Sequence, residues 1–255
     1  MSFHCFGEPA SPTVVLIHGL ATTWEQSFGE IIPLLAARYH VVAVGLSGHD
    51  PAEPGDFVSR RREAEELSSF LTSERGGEAH CVYGASLGAA VAVELAWLGS
   101  ARVGTLVLDG AVKLPVGPLA RLLAVPMGPV GRAVIDGRGD WFLTVAGVTP
   151  EALHDLVYRK VSVTSLRNGF IEGFGMFAAI QHAPVRTDVG VVCWFGGKER
   201  LAPASIRALR RTFPRLTVRM FPGCGHGELL KRPEQFVDEL VASLEGSGPD
   251  TTPER

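Results

Sequence analysis

The sequence predicts an α/β protein in which a mostly parallel sheet is buried on both faces and flanked by helices. Three observations carry that prediction. Short apolar runs recur at residues 13–17, 40–44, 80–83, 103–108, 189–195 and 216–221, and continuous rather than alternating runs mark strands covered on both sides. Helical patterns fill the gaps between most of them. One interval, 111–188, breaks the rhythm and has no buried strand of its own.

In chain order, residues 27–38 place Phe28, Ile31, Ile32, Leu34 and Leu35 on one helical side. Residues 58–73 oppose Leu67, Phe70 and Leu71 with Arg60, Arg61, Arg62, Glu63, Glu65 and Glu66, which read as a solvated face. Residues 87–98 are apolar nearly all round and rich in alanine, as expected of a helix wedged against a sheet. In the interval, Thr149-Pro150-Glu151 starts a helix: threonine suits the cap, proline the first turn, and Leu153, Leu156 and Val157 follow on one side. Structureless loops of such length are uncommon, so 111–188 is expected to be an inserted helical subdomain on a body formed by 1–110 and 189–245. A last amphipathic helix covers 233–244, and 246–255 reads as a flexible polar tail.

The chain has 255 residues, 46% hydrophobic and 20% charged, with a net charge of -3. That excludes fibrous and disordered classes. The 24 basic residues are outnumbered by 27 acidic ones, so there is no footprint for holding nucleic acid. The first residues, Met1-Ser2-Phe3-His4-Cys5-Phe6-Gly7, lack a secretory pattern. No window reaches the ~18 uninterrupted apolar residues of a membrane span. The expectation is a cytoplasmic protein with a small-molecule substrate and neither nucleic acid nor membrane as partner; the sequence carries no signal of oligomeric state. Cys5, Cys81, Cys193 and Cys224 share no metal spacing and read as buried thiols.

Gly84-Ala85-Ser86-Leu87-Gly88 lies where the run 80–83 ends and the apolar helix begins. A G-x-S-x-G pentapeptide is a weak signal alone, but between strand and helix it forms a sharp turn that lifts a serine hydroxyl above the sheet. A serine needs a base to take its proton and a third group to orient the base. His226 alone among eight histidines sits between glycines on a loop directly after a predicted strand, in Gly223-Cys224-Gly225-His226-Gly227. Two acids compete for the orienting role. Glu199 follows the run 189–195 in Gly196-Gly197-Lys198-Glu199, and Asp109 ends the run 103–108.

From about Val14 to Leu244 the sequence resembles the α/β-hydrolase superfamily, in the group with a helical cap. That family's order of serine, acid and histidine matches Ser86, Glu199 and His226; its His-Gly motif after strand three matches Ile17-His18-Gly19-Leu20. The phrase after its next strand resembles Val44-Gly45-Leu46-Ser47-Gly48-His49-Asp50. The resemblance implies the α/β-hydrolase fold, a cap inserted after strand six of the family's count, no cofactor and no metal. It also implies an oxyanion hole formed by the backbone N–H groups of Leu20 and Leu87, with His18 structural beside it. Two positions depart from the pattern. The acid is more often aspartate, so Glu199, one methylene longer, needs the Gly196-Gly197 turn to retreat, and Asp109 stays the alternative acid. Gly45 stands where relatives usually carry aspartate, and Asp50 where they carry glycine.

Trp24, Trp141, Phe142, Phe174 and Phe177 are candidates to line an apolar pocket, although Phe170, Phe174 and Phe177 are also spaced for helix packing. The function these readings imply is a serine esterase, carboxylesterase-like, acting on a small apolar or aromatic ester through an acyl-enzyme. C–C bond hydrolysis, thioester cleavage and acyl transfer use the same residues. A noncatalytic small-ligand receptor is the reading from another class, because fold does not fix function.

Overall fold

Apolar side chains on both faces of a strand need cover on both faces, and the chain supplies it. The computed structural model describes residues 1–51, 55–111, 120–138 and 157–246. Seven strands form one sheet: β1 (Ser2–Phe6), β2 (Thr13–Ile17), β3 (His40–Gly45), β4 (Glu78–Ala85), β5 (Arg102–Asp109), β6 (Gly190–Gly196) and β7 (Thr217–Phe221). Their order is β1-β3-β2-β4-β5-β6-β7, parallel throughout except that β1 runs antiparallel to β3.

Alternate residues of one strand enter different cores. Val15 and Ile17 of β2 join the cluster that takes in α3 (Arg60–Glu74), α4 (Leu87–Leu98) and α8 (Ala202–Leu209). Val14 and Leu16 join the opposite one, with α1 (Trp24–Phe28), α2 (Ile32–Ala36) and α9 (Pro233–Leu244). Each such fully buried valine or leucine contributes about 1.5–3 kcal/mol. That double burial is what the continuous apolar runs record.

β1 was not foreseen, because a five-residue edge strand reading Ser-Phe-His-Cys-Phe has no apolar run. It leaves Cys5 exposed, against the expectation of a buried thiol, while Cys81, Cys193 and Cys224 are buried and free. A single strand at the amino-terminal edge also shifts the count: the His-Gly motif follows β2, and the inserted helices follow β5. The helix expected over 27–38 is two short ones, α1 and α2, because Pro33 has no N–H with which to continue the α1 ladder.

Between β5 and β6 lie α5 (Ala120–Ala124), α6 (Met127–Ile135) and α7 (Val163–Ile180). The helix start at Thr149-Pro150 falls outside the described residues. Helix α7 sends Met176 and Ile180 into the core of the body. It is also tied to the body by charge. Arg60 donates to Glu94 of α4 at 2.9 Å and to Glu172 of α7 at 2.8 Å. Arg60 is therefore buried between α4 and α7 rather than solvated, and Glu63 is buried against the loop after β3, where it accepts the Ser47 N–H at 3.1 Å. Beside them, Phe57 N–H donates to Ser165 Oγ at 3.0 Å, and Asn168 donates to the Phe57 carbonyl at 2.8 Å.

Two buried histidines join the loops that follow β2 and β3. His18 Nε2 accepts the Leu46 N–H at 3.1 Å, so its proton sits on Nδ1, which donates to the Gly19 carbonyl at 2.8 Å. His49 pairs through Nδ1 with the Ser47 carbonyl at 3.0 Å and lies edge-on to Phe57. Burial lowers the pKa of His18 to about 3, with help from His49, and that of His49 to about 4.

Both imidazoles stay neutral when folded but take a proton near pH 6.5 when unfolded, so below that pH the unfolded state binds more protons. Stability is predicted to be full above about pH 6.5 and to fall toward pH 4, by up to about 1.4 kcal/mol per pH unit for each histidine. Thermal melts across that range check it. The slope should shrink in His49→Gln, and an unchanged slope would contradict the assignment.

Candidate active site

The carboxyl ends of five parallel strands meet at one edge of the sheet, and each predicted polar residue stands on one of them. Ser86 closes β4. It holds φ 54° and ψ -107°, and Ala21 in the loop after β2, at φ 59°, is the other non-glycine residue with positive φ among the described residues. A non-glycine residue held this way costs about 1–3 kcal/mol and needs surroundings that enforce it. The enforcing contacts come from the flanking glycines. A Cβ on Gly88 would collide with the Ile17 carbonyl and lie 2.6 Å from that of His18; one on Gly84 would collide with the Gly88 carbonyl. Helix α4 can therefore start against β2 only because both positions are bare.

The loop after β2 lies against Ser86. The Gly19 Cα is turned to it so closely that a Cβ there would be 3.5 Å from Ser86 Cβ. Leu87 is the first residue of α4, where helix N–H groups have no internal acceptor. Among the described residues, neither the Leu20 nor the Leu87 N–H donates to another backbone carbonyl. The Leu20 side chain packs under α7, directly on Gly169. The Ala21 carbonyl accepts the Tyr158 N–H at 2.8 Å, so the inserted segment grips this loop.

Glu199 and His226 meet across the ends of β6 and β7. Glu199 N–H donates to the Gly196 carbonyl at 3.0 Å, closing a tight turn that folds the carboxylate back. One oxygen, Oε1, then accepts the Gly196 N–H at 2.8 Å, and Oε2 lies 2.9 Å from His226 Nδ1. This retreat of the turn absorbs the extra methylene of glutamate. It requires Gly196 to be bare, since a Cβ there would sit 2.5 Å from the carbonyls of Cys224 and Gly225. The two loops are sewn together by Lys198 N–H to Cys224 O at 3.0 Å and Gly197 N–H to Phe221 O at 2.9 Å. Gly225 N–H donates to Glu228 at 2.6 Å and steadies the histidine loop. A carboxylate only accepts, so Nδ1 of His226 carries a proton, and in the neutral ring Nε2 keeps the lone pair.

Asp109, the other acid considered, sits at the end of β5 with its Oδ2 taken by the Tyr83 hydroxyl at 2.8 Å. Its carbonyl accepts the Ser86 N–H at 2.8 Å. The next residue, Gly110, forms a wall of the imidazole: a Cβ there would collide with His226 Cε1 and lie 2.5 Å from Nδ1. Tyr83 and Gly110 are not among the residues the sequence singles out. A tyrosine directly before G-x-S-x-G and a glycine directly after a strand-end aspartate were the signals available.

Of the aromatic candidates, Trp24 stacks on His4 at 4.3 Å and tilts against Phe6, so its ring packs the amino-terminal strand instead of a pocket. Phe174 meets Phe170 edge-on at 5.7 Å, and Phe177 packs against the main core. Trp141 and Phe142 fall outside the described residues. The loop after β3 has exchanged positions: the Asp50 carboxylate, held by Ser2 at 2.5 Å and His4 at 2.9 Å, occupies the space a side chain at Gly45 would need. Among the described residues no helix is long and apolar enough to cross a membrane, and no group of three or more His, Cys, Asp or Glu is placed to hold a metal ion.

Known proteins share this framework. A crystal structure of an alpha/beta hydrolase family protein from Desulfitobacterium hafniense superposes with a TM-score of 0.84 at 27% identity, covering 96% of this chain and all 100% of that one. A 2-hydroxy-6-oxononadienedioate/2-hydroxy-6-oxononatrienedioate hydrolase from Pseudomonas putida is 26% identical over 92% of this chain and 88% of its own length. The dihydrolipoyllysine-residue acetyltransferase component of the acetoin cleaving system of Cupriavidus necator is 26% identical over 92% of this chain, which spans 64% of that protein. The model of the alpha/beta hydrolase family matches residues 14–239, and the chain belongs to that family.

Proposed function

We propose that the protein is a serine hydrolase that cleaves a small apolar or aromatic ester through an acyl-enzyme. The observation that carries the reading is the 2.9 Å contact between Glu199 Oε2 and His226 Nδ1, because it turns Nε2 to the role of base for Ser86, which is held on a strained turn. Ser86 Oγ attacks the acyl carbon while Nε2 takes its proton. The imidazolium that forms is stabilised by the Glu199 carboxylate and then protonates the departing alkoxide. Charge developing on the carbonyl oxygen is met by the N–H groups of Leu20 and Leu87, each donor contributing roughly 3 kcal/mol to lowering the barrier. Water, activated by the same imidazole, releases the acid. The helices between β5 and β6 serve in this reading as the cap over the site, and Leu20 links them to the oxyanion loop.

One finding favours a second reading on the same residues. The Pseudomonas putida relative is named as a hydrolase of 2-hydroxy-6-oxononadienedioate and 2-hydroxy-6-oxononatrienedioate, which fits C–C cleavage of a diketone by Ser86 rather than ester cleavage. The Cupriavidus necator relative is named as an acetyltransferase component, in keeping with acyl chemistry generally.

Labelling with a fluorophosphonate probe tests the nucleophile. Wild type is expected to label, Ser86→Ala not at all, and Glu199→Gln about a thousandfold more slowly. Unlabelled, folded wild type would favour a noncatalytic ligand receptor. Loss of turnover in Asp109→Asn with Glu199→Gln spared would move the acid to Asp109. Comparing p-nitrophenyl esters from acetate to decanoate with a 1,5-diketone decides between ester and C–C cleavage.

Gly110→Ala probes the imidazole wall separately. Its methyl would push the ring off Glu199 at a backbone angle, φ 60°, that alanine adopts at a cost. A loss of about a hundredfold in kcat is expected from displacement on the ångström scale, with the fold retained. Activity within twofold of wild type would contradict the geometry.

A further inference from the structure

Tyr83 and Asp109 form a buried polar pair that the proposed chemistry leaves unused. The tyrosine is fully buried among Phe28, Trp194 and Phe236, and Asp109 is 5% exposed. A leucine would fill such a site without bringing a hydroxyl and a carboxylate out of water, a step that is costly unless the two satisfy each other. Burial and the neighbouring charges of Asp109 and Glu199 push the phenol pKa well above 10, so Tyr83 remains a neutral donor.

The main chain of the same aspartate does the joining. Its carbonyl holds the Ser86 N–H, and Gly110 beyond it donates to the Trp194 carbonyl at 3.0 Å while backing the imidazole. A Cβ on Gly110 would also lie 3.4 Å from Glu199 Oε2. One dipeptide, 109–110, thus borders Ser86, His226 and Glu199, and the hydrogen bond from the Tyr83 hydroxyl to the Asp109 carboxylate ties it to the neighbouring strand.

We propose that Tyr83 and Asp109 are positioning residues, whose hydrogen bond holds the 109–110 peptide in the place that brings Ser86 and the His226 imidazole to reacting distance. This rests on the serine hydrolase reading. Neither group touches substrate. The pair acts through the backbone, so its loss lowers the rate of every step that moves a proton between Ser86 and His226 and leaves substrate binding alone.

The test measures fluorophosphonate labelling rates, and kcat and KM on a p-nitrophenyl ester, in the full chain. Tyr83→Phe is expected to label about tenfold to a hundredfold more slowly, with a parallel fall in kcat and KM within twofold. Asp109→Asn, which keeps an oxygen to accept from Tyr83, should stay within about threefold of wild type, while Asp109→Ala falls as far as Tyr83→Phe. Combining Tyr83→Phe with Asp109→Ala should cost no more than either alone, as for two groups sharing one bond. If Asp109→Ala does not fold, the contrast of Tyr83→Phe with Asp109→Asn carries the test. Tyr83→Phe that melts earlier but labels at the wild-type rate would overturn the assignment and leave a structural bond. Loss of about a thousandfold or more in Asp109→Asn would make Asp109 the acid and overturn it too. Wild type that fails to label overturns the hydrolase reading and this one with it, whereas wild type that labels beside an equally fast Tyr83→Phe overturns this one alone.

Discussion

Ser86 sits at φ 54° and ψ -107°, a turn that no strand or helix tolerates for long, and most of the surrounding structure serves to hold it there. On one side the bare Gly84 and Gly88 let α4 start hard against the carbonyls at the end of β2. On the other, the Asp109 carbonyl takes the serine N–H. The helix is apolar nearly all round because it must be: the sheet lies beneath it, α3 beside it and α7 above, and Leu87 to Ala96 are all buried. The strain of about 1–3 kcal/mol at such a residue is tolerable because many independent contacts oppose its release. The conformation sets Ser86 at the first turn of a helix, where backbone N–H groups have no internal acceptor.

The second half of the site rests on neighbouring strand ends in turn. β5 carries the dipeptide that separates serine from imidazole, β6 the carboxylate, and β7 the imidazole itself. Parallel strands put all their carboxyl ends on one edge, so residues far apart in sequence gather without any long excursion. Glutamate in place of the commoner aspartate reaches the imidazole here by a local adjustment. The Gly196–Glu199 turn spends one carboxylate oxygen on its own backbone and presents the other to His226. The loop after β3 follows the same logic, with Asp50 reaching into the space left by Gly45.

Most of the central sheet was legible because continuous apolar runs mean burial on two faces, and six of the seven strands had such runs. β1 had none, and only its pairing with β3 and the stacking of Phe3 on Phe70 make it a strand. The charges of α3 misled, since a run of arginines and glutamates reads as solvated until another helix lies on it; Glu94 and Glu172, far apart in the chain, are what draw Arg60 inward. At the candidate site, Ser86, Glu199 and His226 stand out in the sequence by their places beside glycines after strands. Their support does not. Gly110 matters through what a missing Cβ leaves room for, and Tyr83 through a hydrogen bond to the neighbouring strand, and the local patterns that mark their places do not show what they touch. Trp24 shows the converse, a residue near the loop in sequence whose ring is claimed by an unforeseen strand.

In the proposed mechanism Glu199 fixes the His226 proton on Nδ1 and leaves Nε2 to act as the base. Nitrogen-15 NMR of the imidazole at neutral pH measures this directly, because protonated and lone-pair nitrogens resonate far apart. The expected spectrum places the proton of the neutral ring on Nδ1, with that preference lost in Glu199→Gln. A ring protonated at Nε2, or one whose tautomer is indifferent to residue 199, would contradict it.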